Sequence, residues 1–120
     1  MATAALMIQW GRMTPGRERQ ALRAWGEAIQ YWQRLQEQGE IESFEPVLLE
    51  QGAEDLAGFI LVRGERERID QIRRGDEFAH LCRQMSFTSH HLRVVGGSLG
   101  EELGRQMIGI EAAVAALTQE

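Results

Sequence analysis

The chain has 120 residues, room for one domain over 1–120 and too few for two of ordinary size. Its 43% hydrophobic and 26% charged residues are a globular composition, and a net charge of −5, with all 13 basic residues arginine and mostly beside glutamate, leaves no basic face for a nucleic acid. Cys82 is the single cysteine, which excludes an internal disulfide and points to a reducing cytoplasm; no secretory leader is expected, and no apolar run is long enough to span a membrane.

Ala4–Arg12 predicts a first strand, apolar on both faces until Gln9. Thr14 and Pro15 suit a helix start, and the stripe Leu22, Trp25, Ile29, Trp32 predicts a helix from about Pro15 to Gln38, closed by Gly39. A hairpin follows: Ile41–Glu50, a polar turn Gln51-Gly52-Ala53-Glu54-Asp55, then Leu56–Arg63. Pro46 cannot donate to a ladder, so the first of these strands belongs at a sheet edge. Leu56 to Val62 contains no polar residue, so both faces of that strand need cover. Ile69 and Ile72 mark a short helix; Gly75 interrupts it, and Asp76 opens another that carries Phe78, Leu81, Cys82 and Met85. Ser86–Ser98 holds a further strand around Leu92, Val94 and Val95, weakened or bulged at Gly96-Gly97. From Gly100 a last helix carries Leu103, Met107, Ile110, Val114 and Leu117 at spacings of 4, 3, 4, 3, a heptad-like seam suited to packing along a surface.

The order strand–helix–strand–strand–helix–strand–helix is a ferredoxin-like split βαβ arrangement of the α+β class: a four-stranded antiparallel sheet plus a C-terminal helix. Its first and third strands are central, and its crossover helices share one sheet face. The other face is left bare although the strands are apolar on both sides. A homodimer packing two such faces together, a dimeric α/β barrel, resolves the conflict.

Trp10-Gly11-Arg12, Pro15-Gly16-Arg17-Glu18, Ile41 to Glu50, Gly58 to Gly64 and Val94-Val95-Gly96-Gly97 together resemble the dimeric α/β-barrel superfamily, and within it a group of uncharacterised bacterial proteins. The resemblance implies the fold and the dimer. The wider superfamily includes cofactor-independent monooxygenases, haem-binding enzymes and small-molecule isomerases. No motif matches one of those activities residue by residue, so no catalytic residue is carried over.

Two functional classes follow. The first is a homodimeric small-molecule-binding or structural protein, needing no cofactor or metal. The second is a monooxygenase-like or haem-binding enzyme acting on an aromatic substrate. Either would use Trp25, Tyr31, Trp32 and His80 around a pocket for a small apolar or aromatic ligand, although core packing is the first reading of those aromatics. His80 and Cys82 diverge on a helix, and His90 and His91 diverge on a strand, so neither pair supplies converging metal ligands. Cys82 reads as a small buried hydrophobe. Arg12 and Arg17 flank the start of the long helix, where solvated arginines are the first reading and an anion the second. The first class is preferred, because proton transfer needs a positioned acid or base and no converging set is visible.

Overall fold

The computed structural model describes residues 1–50 and 55–118. It contains β1 (Ala4–Trp10), α1 (Glu18–Glu37), β2 (Ser43–Leu48), β3 (Gly58–Gly64), α2 (Arg66–Arg74), α3 (Asp76–Thr88), β4 (Arg93–Ser98) and α4 (Gly100–Thr118). The strands form one antiparallel sheet in the order β2-β3-β1-β4. This is the ferredoxin-like α+β arrangement read from the element order. The all-apolar strand is central, and Pro46 lies on edge strand β2 opposite Ile60.

Local chemistry explains where the boundaries depart from the sequence reading. α1 starts at Glu18 rather than Pro15 because Gly16 takes a positive φ of 85°, which no helix accommodates. Thr14 to Arg17 instead close a turn through the Arg17 N–H to the Thr14 carbonyl at 3.0 Å. Ser86, Phe87 and Thr88 belong to the end of α3, and β4 begins only at Arg93. Gly96 and Gly97 pair one-for-one with Leu6 and Ala5, so they make no bulge. Of the expected hairpin turn only Asp55 lies within the described residues.

Strand alternation decides what is buried where. Leu6, Ile8, Ile60 and Val62 share one sheet face and pack with Trp32 and Phe78 of the crossover helices, together with Ile69 of α2. Gly58 lies opposite Trp10 on this face. A Cβ there would stand 2.7 Å from the Val47 carbonyl oxygen and 2.8 Å from Trp10 Cζ2, so the indole fits only over a glycine.

The terminal helix is fixed only at its root. Arg66 of α2 donates from Nη2 to Glu102 at 2.6 Å, to the Gly97 carbonyl at 3.1 Å and to Ser98 Oγ at 3.2 Å. The Arg66 hydrogen bond holds the Glu102 carboxyl below its ordinary range. Beyond that turn α4 leaves the domain. Its seam residues Leu103, Met107, Ile110, Val114 and Leu117 are 46–84% exposed. The radius of gyration is accordingly 16.9 Å, against about 14 Å for a compact chain of this length.

Candidate functional site

The helix-side aromatics divide into two groups. Around Trp32, the Tyr31 ring meets it edge-on at 4.9 Å and the Phe78 ring at 6.0 Å. Trp32 is 1% exposed and serves as core. Tyr31 and His80 line a surface cleft of about 230 Å³ between α1 and α3, with Gln30, Leu81 and an Arg34–Glu77 ion pair. Burial pushes the Tyr31 hydroxyl up to about 12, with the Glu77 charge adding to the rise. It is therefore a protonated donor at neutral pH. Of the four residues named from sequence, Tyr31 and His80 come together; Trp32 sits behind them, and Trp25 lies elsewhere.

Trp25 packs on Trp10 at the far end of β1, with ring centroids 5.3 Å apart. Sequence reasoning missed what surrounds this pair. The loop after α3 is tied to the end of β1: the Gly11 N–H donates to the His90 carbonyl at 2.7 Å, and the His90 N–H to the Arg12 carbonyl at 2.8 Å. Trp10 Nε1, Trp25 Nε1, Gln84 Oε1, Ser89 Oγ and His90 Nε2 are buried with no hydrogen-bond partner among the described residues. Ser89 and His90 belong to the loop tied to the end of β1 that carries Trp10, and buried polar groups of this kind are ordinarily hydrogen-bonded. The signal that would have found them is the tertiary tie between residues 11–13 and 88–90, which no local pattern announces.

Other candidates resolve differently. Arg17, read as flanking an anion site, stacks its guanidinium 3.8 Å from the Phe87 ring centroid and donates to the Phe87 carbonyl at 2.9 Å. His90 and His91 lie in the α3–β4 loop rather than on a strand, with His91 in the left-handed region at φ 57°. No group of three metal-ligating side chains forms among the described residues. Cys82 is half-buried, and burial pushes its thiol up. It should react with a disulfide reagent at pH 7.5 several-fold more slowly than free cysteine; an equal or faster rate would show an activated thiol.

The opposite sheet face carries no helix. Cross-strand register sets its rows: Ser43, Arg63, Ala5 and Gly97; then Glu45, Leu61, Met7 and Val95; then Val47, Phe59, Gln9 and Arg93. Its centre is apolar and its corners are polar. Val95 is 49% exposed, and Met7, Phe59, Leu61 and Val47 are only partly covered by their neighbours. The Glu45–Arg63 pair spans one corner of the hairpin at 3.4 Å.

No protein-family model matches the sequence, and no curated protein matches it. Among solved structures the chain is similar to a dimeric protein of unknown function and ferredoxin-like fold from Bacteroides fragilis NCTC 9343. The TM-score is 0.57 at 10% identity, covering 80% of this chain and 96% of that one. It is also similar to SnoaB, a cofactor-independent oxygenase from Streptomyces nogalater, with a TM-score of 0.52 at 10% identity, over 82% of this chain and 93% of that one. No helix among the described residues is long and apolar enough to cross a membrane. At these identities the likeness is one of architecture, and what it shows is that this chain has the ferredoxin-like fold.

Proposed function

We propose that the protein is a homodimer, packed through its two helix-free sheet faces, that binds a small apolar or aromatic molecule on the helix side of each sheet. The observation that carries the reading is the apolar centre of the bare face, formed by Met7, Leu61, Phe59, Val47 and Val95. Full burial of such a side chain from water is worth about 1.5–3 kcal/mol; these are partly covered and gain a share of that when a two-fold pairing buries them in both copies. The similar ferredoxin-like structure from Bacteroides fragilis is dimeric, which supports a homodimer.

The ligand half of the reading rests on the cleft of about 230 Å³ between α1 and α3 that Tyr31 and His80 line. A flat molecule in that cleft would lie against the Tyr31 ring and meet the His80 imidazole. A cytoplasmic location suits the lone free thiol of Cys82.

Light scattering at micromolar concentration should give twice the 13.6 kDa chain mass. Native mass spectrometry of protein taken directly from cells should show a retained small molecule that leaves on denaturation. A monodisperse monomer rejects the assembly, and an unliganded dimer rejects the binding role.

The likeness to SnoaB, together with the meeting of Tyr31 and His80 in one cleft, favours a second reading: a cofactor-independent oxygenase acting on an aromatic substrate. In that reading His80 takes a proton from a phenolic substrate and the protonated Tyr31 donates to the developing oxyanion. Oxygen uptake in the presence of a hydroquinone, lost in His80→Ala, is the result that would make this second reading the better one.

A further inference from the structure

α4 poses a problem that the sheet-to-sheet assembly leaves open. A 19-residue helix spans roughly 28 Å, and here it packs on its own chain only at its root. None of its described side chains is buried, and six large apolar ones are at least 46% exposed: Leu103, Met107, Ile108, Ile110, Val114 and Leu117. Five of the six lie on the 4, 3, 4, 3 seam. Isolated helices of this length are marginal in water, and most helical stability in proteins comes from packing an amphipathic face.

Area identifies the partner. Four strands about 4.8 Å apart and six or seven residues long, at about 3.3 Å per residue, present a face of roughly 400 Å². Two such flat footprints total on the order of 800 Å², which places the sheet contact alone near the small end of stable specific interfaces. A helix stripe roughly 28 Å long and about 8 Å wide adds some 220 Å² to each side of every contact it makes. Two arms, each covered by the other copy, bring the total to roughly 1,700 Å². The two arms enlarge the sheet contact by about as much again. The Arg66–Glu102–Ser98 cluster fixes the direction in which the arm departs, so both copies present it in the same way, as a two-fold interface requires.

We propose that α4 is a dimerisation arm whose Leu103–Leu117 seam packs on the second copy of this chain. The proposal rests on the homodimer reading above and adds the arm to its interface.

The test compares the full-length protein with a Met107→Glu/Ile110→Glu double variant and an Ala112→Glu control on the opposite side of the helix. Dimer dissociation is measured by sedimentation equilibrium, with near-ultraviolet circular dichroism confirming that the core stays folded. The double variant should dissociate at least about 100-fold more readily, the loss of two buried apolar side chains per arm, while the control stays within about threefold of the parent. Hydrogen exchange should show α4 amides protected in the parent dimer and exposed on dilution. A parent dimer whose dissociation constant is unchanged in the double variant overturns the arm and leaves the sheet-face dimer standing. A parent protein that is monomeric overturns both.

Discussion

Met7→Glu should convert the dimer to a folded monomer, with light scattering falling to 13.6 kDa and the far-ultraviolet spectrum unchanged. Met7 occupies the middle of the bare face, paired with Leu61 on β3 and Val95 on β4. In a single chain its side chain is only partly covered, so a carboxylate there stays hydrated and the helix-side core is untouched. Between two sheets it has apolar neighbours in its own row, and its two-fold mate carries the same charge. Burying an unpaired carboxylate costs several kcal/mol per ion, and a dimer carries two. The dissociation constant should rise at least about a thousandfold, since each 1.4 kcal/mol is tenfold. If the variant keeps the dimeric mass, the sheet faces are not the interface.

Trp32→Ala should lower the unfolding free energy by about 3–5 kcal/mol, the usual cost of truncating a large buried aromatic. The indole is 1% exposed, wedged between Tyr31 and Phe78 beneath the helices, and its removal leaves a cavity that the sheet cannot follow. His80→Ala, on the exposed side of α3, should stay within about 0.5 kcal/mol. Urea unfolding of both variants with unchanged slopes checks the pair. A mild Trp32→Ala would mean that this layer is loosely packed, as a ligand pocket would be, and would move Trp32 from the core back to the site.

The fold was legible because two cues were independent and global. A proline at 46 demanded an edge, and an uninterrupted apolar run at 56–62 demanded the centre; only one strand order satisfies both together with the order of elements. The start of α1 is less legible, since Thr14-Pro15 offers good capping chemistry that the left-handed Gly16 overrides. The candidate site was read least. Tyr31 and His80 are 49 residues apart and meet only because α1 and α3 lie side by side on one sheet face. Trp25 and Trp32 share one helical stripe, yet along a long helix they meet different neighbours, Trp10 and Phe78. The unmatched atoms of Gln84, Ser89 and His90 depend on how one loop is laced to the end of β1, which is tertiary information with no periodic trace.

β1 has a consequence for how the chain reaches this state. Of the four strands of this sheet it is made first, yet its two neighbours are residues 58–64 and 93–98. During synthesis at about 5–20 residues per second, its apolar side chains wait several seconds for the strand that completes the sheet. Sheet closure joins segments about 90 residues apart, which places folding between the fast helical bundles and the slow all-β topologies. The long α1, emerging directly after β1, is the element available to shelter it in the meantime. A nascent chain stalled before β4 would carry the centre of the domain without one of its walls, and it is there that a chaperone has the most to do.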